Sequence, residues 1–388
     1  MNPRHVRTIL VTNILAPYRR PLLEHLTEKS QLRLEVWLMA RRERNRQWDR
    51  DITAKGARFF LDLGFDFSDS EGPTMHFNPT LLLELLRRRP DVVVLGGYDS
   101  ATTLVAPILL KILSIPYLFW IESTRSERRL LRELAKPLLR LLVKSSQGVI
   151  VPGRAAREYA LDLGAVSSHI FISPNSVDPT RFSPPEGRRA RRELRDQLNL
   201  PTGVLFLFVG QLIERKGVRD AIEAFAGAAS SDSNAHLVIV GDGPLRAPLL
   251  QRVLRDPVVL GHVHIRGYCS EEDLPRYYAA CDAFVFPTHQ DVWGFVLNEA
   301  MSSGLPVVSS DRAQAAKDLV HQGLTGFVVP SGDINALSGR MMDLLHSEEL
   351  RIHMGQRARG QIVERFTPEL AAARFVDAIR FVSERGVK

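Results

Sequence analysis

Short apolar runs, each followed by an amphipathic stretch, recur along the whole chain. The runs lie at Thr8–Thr12, Leu34–Leu38, Asp91–Leu95, Tyr117–Ile121, Gly148–Val151 and His169–Ser173, and then at Leu205–Val209, His236–Val240, Val263–Ile265, Ala283–Phe286, Pro306–Ser309 and Gly326–Val329. Runs that are apolar throughout are typical of parallel strands covered by helices on both faces. The pattern therefore predicts an α/β protein with two doubly wound domains, whose ligands bind at the carboxyl edge of each sheet.

A proline-rich segment separates the two halves. It begins at Pro174 and reads PNSVDPTRFSPPEGRRARREL, and we interpret its prolines and its burst of arginines as a connection rather than an element. We expect the boundary near Ser183, which gives domains 1–183 and 184–366.

Composition narrows the class of protein. The chain has 388 residues, 45% of them hydrophobic, and a formal net charge of +7, which suits two buried cores and a basic patch for phosphate, nucleic acid or anionic lipid. Cys269 and Cys281 are too few for a disulfide framework and favour a reducing compartment. The run before Pro17 reads as a first strand rather than a signal peptide, and the apolar stretch Ala101–Ile121 is interrupted by prolines and a lysine. We therefore expect a cytoplasmic protein without a membrane span.

The segment DVWGFVLNEAMSSGLPVV carries the strongest chemical signal. It places Asp291 before, and Glu299 within, a helix predicted to begin near Gly294. The amides of Gly294, Phe295 and Val296 would form an anion site at the positive end of that helix. A diphosphate fits there, with Asp291 accepting hydrogen bonds from a sugar and Glu299 from a ribose. The alternative is that Asp291 only caps the helix and Glu299 lies on its solvated face.

Two other turns of the second half carry candidate residues. The strand that ends before Gly210 is followed by GQLIERKGV, in which Arg215 and Lys216 would stabilise a departing diphosphate, unless they are solvated loop charges. Gly267 and Tyr268 follow a later strand and would hold a nucleotide base through backbone groups, or form a plain connection to a helix whose first turn holds Glu271 and Glu272. We interpret the GDGPL turn as a tight strand-to-helix corner.

Taken in order, these segments resemble the family-4 retaining glycosyltransferases of group 1. The resemblance rests on PNSVDPTRF, FVGQLIERKGV, LVIVGDGPL, VHIRGYCSEEDLPRYYAACDAFVFPT, DVWGFVLNEAMSSGLPVV and LTGFVVPSGD. It implies a GT-B fold, in which two Rossmann-like domains face a central cleft. The N-terminal domain would bind the acceptor and the C-terminal domain the nucleotide sugar. Segment 367–388 would hold a helix, Thr367–Val382, that crosses back to the N-terminal domain.

The resemblance also implies site residues. Glu299 matches the carboxylate that holds the ribose, and Asp291 stands where the family has a second Glu. Arg215 and Lys216 lie where the family has cations that bind the diphosphate, and the amides after Gly294 match the donor-phosphate helix.

Three departures from the family pattern bear on the donor site. Gln211 stands where the family usually has Arg, so Arg215 would supply that charge. The fourth-strand His of many members is replaced by Glu122. The first loop lacks the usual glycine pair and offers Ala16, Pro17 and Tyr18 on the acceptor side.

The implied reaction is transfer of a hexose, with retention, from a nucleotide diphosphate sugar, most simply a UDP-sugar, to a glycan, lipid-linked or small-molecule acceptor. Glu122 is a candidate nucleophile for a covalent route, and the alternative is front-face attack stabilised by Arg215 and Lys216. We interpret the Asp-x-Asp at Asp49 and Asp51 as a solvated loop, and we expect no metal and no cofactor. The rivals are a nucleotide-sugar 2-epimerase and a non-catalytic nucleotide-sugar-binding protein. No nucleic acid is expected, because no stacked aromatic array accompanies the basic charge.

A basic amphipathic segment in the first half suggests a membrane surface. Over 125–144, leucines alternate with cations at helical spacing, and Pro137 is expected to kink or split the helix. This predicts docking on the inner face of an anionic membrane, whereas the alternative is a leucine stripe that packs on the sheet. The cations are Arg125, Arg128, Arg129, Arg132, Lys136, Arg140 and Lys144.

Overall fold

The computed structural model describes residues 5–28, 32–41, 57–66, 74–98, 100–126, 130–185, 187–229 and 234–385. The chain divides into two compact units. Unit 1 is Met1–Ser176 with Pro368–Lys388, and unit 2 is Val177–Thr367.

Unit 1 is built on a parallel sheet. Its strands are β1 (Val6–Thr12), β2 (Leu32–Leu38), β3 (Ala57–Phe59), the short β4 (Phe65–Asp66) and β5 (Thr74–Met75), β6 (Val92–Gly96), β7 (Tyr117–Trp120), β8 (Gly148–Val151) and β9 (Ile170–Ile172). Its helices are α1 (Arg20–Glu28), α2 (Pro79–Arg88), α3 (Ala101–Ile112), α4 (Leu130–Ser145) and α5 (Arg154–Asp162). The parallel strand order is β3-β2-β1-β6-β7-β8-β9, and β4 pairs antiparallel with β5.

Unit 2 repeats this architecture. Its strands are β10 (Val204–Val209), β11 (Ala235–Val240), β12 (Val263–Gly267), β13 (Ala283–Phe286), β14 (Val307–Ser310) and β15 (Gly326–Val329), in the parallel order β12-β11-β10-β13-β14-β15. Its helices are α6 (Gly187–Gln197), α7 (Val218–Ala229), α8 (Arg246–Arg255), α9 (Leu274–Ala280), α10 (Phe295–Ser302), α11 (Ala316–Leu319), α12 (Ile334–His346) and α13 (Glu348–Arg365). The apolar runs thus became parallel strands covered on both faces, as predicted.

The last helix, α14 (Pro368–Arg385), packs on the sheet of unit 1. Its buried face, which includes Phe375 and Ile379, shares a core with Leu10 and Leu118, and the Phe375 ring meets the edge of Trp120 at 5.3 Å. The predicted C-terminal helix was Thr367–Val382. The observed helix begins one residue later, with Pro368 in its first turn.

Two features of the connection between the units differ from expectation. The division falls after Ser176 rather than near Ser183, because Val177 and Phe182 are buried in a core of unit 2. The arginine burst is not a connection but helix α6. Arginine is a good helix former, and Arg191 and Arg195, one turn apart, both bind Asp282, at 3.0 and 2.7 Å.

Two helix boundaries also need correction. The helix after Tyr268 begins at Leu274, so Glu271 and Glu272 precede it instead of lying in its first turn, and Pro275 takes an early helical position that suits its fixed backbone. Pro137 does not split the basic helix, since α4 continues through it.

The basic segment 125–144 is only partly the helix face that its spacing suggested. Arg125 precedes α4 and binds Asp162 of α5, with both nitrogens at 2.5 and 2.6 Å. Leu139, Leu142 and Val143 are buried against the sheet. Arg128 and Arg129 lie outside the described residues. Among the described helices none is long and apolar enough to cross a membrane.

Candidate functional site

The sheet of unit 2 reverses its winding between β10 and β13. β11 and β12 lie on one side of β10, and β14 and β15 lie beyond β13. Open α/β sheets bind their ligands outside the carboxyl ends of the strands at such a reversal. The loop after β10 carries Arg215 and Lys216 in a short 3₁₀ turn, and the loop after β13 carries Asp291.

Hydrogen bonds hold these two loops together. The Arg215 carbonyl accepts a hydrogen bond from the His289 amide at 2.9 Å, and the Arg215 guanidinium donates to the Gln290 carbonyl at 2.7 Å. Gly217 closes the turn at φ +68°, and a Cβ there would lie 2.0 Å from the Pro287 carbonyl oxygen. Only glycine fits such an approach, so this position fixes the spacing of the loops.

Lys216 and Asp291 form an ion pair at the junction of the loops. The two side chains are only 16 and 15% exposed, and the ammonium lies 5.5 Å from the centre of the Phe286 ring. The backbone of Asp291 is held by a bond from its amide to the Arg312 carbonyl at 3.1 Å. The predicted cation and the predicted carboxylate therefore meet, each with little competition from water.

Helix α10 starts beside this pair. Gly294 precedes its first residue, Phe295, at φ +100°, and a Cβ there would lie 2.9 Å from the Phe286 ring. No side chain caps this helix start, where the backbone donors of the first turn, including that of Val296, and the positive end of the helix dipole lie. This geometry suits an anion.

Glu299 lies within α10 and is largely withdrawn from water. Its Oε2 accepts a hydrogen bond from the Tyr278 hydroxyl at 2.7 Å. Burial raises the pKa of Glu299 to about 7, opposed by the bond from Tyr278 and by the charge of Arg181. The alternative of a Glu on a solvated helix face is therefore wrong for this residue.

The glycine turns after β10, β11 and β12 join at the same edge of the sheet. The Gly210 amide donates to the Val240 carbonyl at 3.1 Å, and the Gly241 amide donates to the Gly267 carbonyl at 2.8 Å. The GDGPL turn is thus a tight corner, as expected. Gln211 and Tyr268, the residues that follow Gly210 and Gly267, are exposed.

Unit 1 places its candidates at the carboxyl edge of its own sheet. Glu122 follows β7 and forms an ion pair with Arg19, whose guanidinium also donates to Thr12 at 2.9 Å and lies 4.6 Å from the Trp120 ring centre. Arg19 belongs to a 3₁₀ turn that begins after the buried Ala16 and contains Pro17 and Tyr18.

Sequence reasoning missed two members of these clusters. Arg19 is one of two adjacent arginines after Tyr18, and nothing in that spacing reveals that it reaches Glu122. Tyr278 stands in the YYAACD segment, where an aromatic residue next to a strand predicts core packing rather than a bond to Glu299. The Asp-x-Asp at Asp49 and Asp51 lies outside the described residues.

Two family matches cover most of the chain. Residues 190–361 match the family described as glycosyl transferases group 1, and residues 15–176 match the glycosyl transferase 4-like domain. The chain belongs to the group 1 glycosyltransferases.

Curated relatives of the chain include one plant protein and one bacterial protein. It is 27% identical over 298 residues to the sulfoquinovosyl transferase of Arabidopsis thaliana, covering 74% of this chain and 56% of the relative. It is 27% identical over 261 residues to the alpha-D-kanosaminyltransferase of Streptomyces kanamyceticus, covering 67% of each chain. The chain thus spans little more than half the length of the first of these relatives.

Solved structures establish the fold of the chain as GT-B. The Anabaena protein HepE, solved in complex with UDP, aligns with a TM-score of 0.74 at 18% identity and covers 97% of this chain and 100% of its own. The lipopolysaccharide outer core galactosyltransferase WaaB aligns with a TM-score of 0.68 at 16% identity, covering 96 and 99%.

Proposed function

We propose that the protein transfers a hexose from a UDP-linked donor with retention of the anomeric configuration. The observation that carries this proposal is the convergence of Lys216, Asp291 and the uncapped start of α10 at the point where the sheet of unit 2 reverses. Family membership supports sugar transfer, and the UDP bound by the structural neighbour HepE supports the choice of nucleotide.

Each group has a role in binding the donor. The diphosphate lies at the start of α10, where the Gly294, Phe295 and Val296 amides and the Lys216 and Arg215 cations stabilise its charge. Asp291 accepts hydrogen bonds from the transferred sugar. In a second set of contacts, Glu299 accepts bonds from the ribose, and the turns at Gly210, Gln211, Gly267 and Tyr268 hold the base.

Transfer follows the front-face route. The bond between the anomeric carbon and the diphosphate oxygen breaks, and its electron pair stays on the diphosphate. The acceptor oxygen bonds to the anomeric carbon on the same face, and its proton goes to the departing phosphate oxygen. Arg215 and Lys216 neutralise the charge that develops, and no metal is needed for that task. Glu122 is engaged by Arg19, which favours this route over a covalent intermediate on Glu122.

Donor binding and turnover test this function directly. UDP and UDP-sugars at millimolar concentration should raise the melting temperature, and NMR of the product should show the anomeric configuration of the donor. Activity should survive EDTA. The proposal fails if no nucleoside diphosphate shifts the melting temperature, and its metal-free form fails if EDTA abolishes activity that Mg²⁺ or Mn²⁺ restores.

We further propose that the acceptor lies on an anionic membrane surface. Helices α2, α3 and α4 cover the same face of the unit 1 sheet, and large apolar side chains on their outer side are 39 to 75% exposed. We call them the outer apolar face. Its members are Leu83, Leu86, Val105, Ile108, Ile112, Leu138 and Leu141.

Cations accompany the outer apolar face, and their charge favours lipid headgroups over an apolar protein partner. Arg87, Lys111 and Lys144 are exposed on the same three helices. Apolar side chains would enter the headgroup boundary while the cations pair with lipid phosphates, which suits a lipid-linked glycan acceptor reached by the loop Ala16, Pro17 and Tyr18.

Vesicle co-sedimentation tests the membrane proposal. The protein should pellet with phosphatidylglycerol vesicles at low salt, and I112E/L141E should reduce the bound fraction at least severalfold. The matched control is L254E, a charge at an equally exposed leucine of unit 2. The proposal is wrong if the wild type stays in the supernatant or if both variants bind alike.

A further inference from the structure

Tyr278 is a buried residue whose hydroxyl contacts Glu299, a member of the proposed donor site. It lies on α9, is fully buried, and packs its ring 5.7 Å from the rings of both Phe182 and Phe284. This packing leaves the ring one orientation, and in that orientation the hydroxyl donates to Glu299 Oε2 at 2.7 Å. The Tyr278 hydroxyl is therefore a fixed hydrogen-bond donor to the Glu299 carboxylate.

The bond to Tyr278 occupies one oxygen of Glu299 and leaves the other. Oε1 makes no hydrogen bond to any residue that the structure describes, and it is not among the fully buried polar atoms. A carboxylate with one oxygen anchored and one accessible cannot rotate without breaking a buried bond, which costs the desolvation of the phenol hydroxyl. The anchored carboxylate thus presents its second oxygen in a set direction.

We propose that Tyr278 is a positioning residue that aims the free oxygen of Glu299 at the ribose hydroxyls of the donor nucleotide. This inference rests on the proposed function, in which Glu299 binds the ribose. Ribose hydroxyls donate hydrogen bonds, so the best partner is an ionised carboxylate held still before the ligand arrives. The Tyr278 hydroxyl supplies both properties, because a donor to the carboxylate stabilises its charged form.

The surroundings of Glu299 make this donor important. Burial raises the pKa of Glu299 to about 7, and the Tyr278 bond is the first of the effects that lower it. Arg181 lowers this pKa too, while Glu271 raises it, and those two side chains pair with each other at 2.8 Å. Helix α13 packs against α10, and its Arg359 donates to the Ser302 carbonyl at the C-terminal end of α10. Arg359 is not among the groups that shift the pKa of Glu299.

Tyr278→Phe removes the hydroxyl and keeps the ring, and calorimetry with UDP and 2′-deoxy-UDP measures its effect. Wild type should prefer UDP about tenfold or more, as expected for one hydrogen bond to a charged group. Tyr278→Phe should bind UDP about tenfold more weakly, and most of the preference for UDP over the deoxy form should disappear. Tyr277→Phe, on the adjacent and partly buried tyrosine, is the matched control and should behave as wild type.

A merely structural role for Tyr278 predicts a different result. Loss of packing would weaken binding of UDP and 2′-deoxy-UDP equally and leave their ratio unchanged. A double-mutant cycle adds a second measurement, because Tyr278→Phe should have no further effect in a Glu299→Gln background if it acts through the carboxylate.

The pH profile gives an independent readout. UDP binding to wild type should weaken as the pH falls through about 7, and the midpoint should move to higher pH in Tyr278→Phe because the donor that favours the ionised form is gone. The proposal is overturned if Tyr278→Phe keeps the wild-type affinities and midpoint, or loses UDP and 2′-deoxy-UDP in equal measure. Failure of wild type to bind any nucleoside diphosphate instead overturns the proposed function, and the positioning role with it.

Discussion

At the scale of single residues, the pairing of Lys216 with Asp291 links stability to donor binding. Lys216→Ala should lower UDP affinity about tenfold to a thousandfold, because it removes a charge from the diphosphate site. It should also cost about 1–3 kcal/mol of unfolding free energy, since Asp291 is left nearly buried without its cation. Calorimetry and thermal denaturation measure the two effects.

The double variant Lys216→Ala/Asp291→Ala separates these contributions. It should regain much of the lost stability, because no unpaired charge remains, but none of the lost UDP affinity. Equal melting temperatures for the single and double variants would show that the unpaired Asp291 charge is not the source of the lost stability.

Asp291 is also expected to affect sugar choice. It stands where the resembled family has the longer Glu, so Asp291→Glu should change the relative turnover of different UDP-sugars while UDP itself binds as before. The measurement is initial rate across a panel of UDP-sugars. An unchanged preference in Asp291→Glu together with an unchanged rate in Asp291→Ala would reduce Asp291 to a structural role.

The raised pKa of Glu299 predicts a pH-dependent stability. The native carboxyl holds its proton up to about pH 7, whereas the unfolded chain releases it near 4.5. The native state therefore binds more protons between these values, and the unfolding free energy falls as the pH rises through that window. Glu299→Gln should abolish this fall, so that the variant melts above wild type at pH 8 and like wild type at pH 4, while it loses UDP affinity. Parallel melting curves at both pH values would contradict this.

At the scale of elements, the cluster around Asp282 joins α6 to the strands of unit 2. Its carboxylate accepts bonds from Arg191, Arg195 and the Leu205 amide, the last at 2.8 Å. Asp282→Ala removes the acceptor of these three hydrogen bonds and should cost about 3 kcal/mol. The exposed pair Arg188–Glu348 is the control, and breaking it should cost well under 1 kcal/mol. Urea denaturation compares the two.

The edge formed by β11 and β12 carries an acid-sensitive group of histidines. His236 and His262 stack with ring centres 5.1 Å apart, and His264 lies 3.3 Å from His236 between ring nitrogens. Burial, then neighbouring charge, lowers the pKa of His264 to about 4 and also lowers that of His236.

These lowered pKa values give the sign of the pH effect. In the unfolded chain His236 and His264 bind protons near pH 6.5, whereas their native forms do so only at lower pH, so unfolding free energy is lost as the pH falls from about 6.5 toward 4. His264→Gln should remove part of this loss, as seen in melting temperatures between pH 7 and 5, whereas the exposed His353→Gln should not. Identical acid profiles for wild type and His264→Gln would refute the assignment.

At the scale of the whole molecule, the sequence predicted the parallel sheets because their strands are buried on both faces and so appear as unbroken apolar runs. The prediction was wrong for the arginine-rich segment, whose high charge suggested a connection although arginine also favours a helix. The arginines of α6 are solvated along most of the helix, and their use as partners of Asp282 depends on a residue far away in the chain. The meeting of Lys216 with Asp291 followed from strand order, but the Tyr278–Glu299 and Arg19–Glu122 contacts depend on side-chain packing that spacing does not encode.

Unit 1 depends on the last helix for its core. Removing residues 368–388 uncovers the apolar surface that Phe375 and Ile379 bury. Hydrogen exchange should therefore accelerate in β1, β6 and β7 of the truncated chain, while β10, β13 and β14 keep their protection. Uniform acceleration in both units, or none, would contradict the independent cores.

The place of α14 in the chain also sets an order in time. A ribosome that has finished the strands of unit 1 must still make Val177–Thr367 before it reaches Pro368. At 5–20 residues per second this takes roughly ten to forty seconds. During that interval the nascent chain exposes the patch around Leu10, Leu118 and Trp120 that α14 later covers, so the unit made first is the one that finishes folding last.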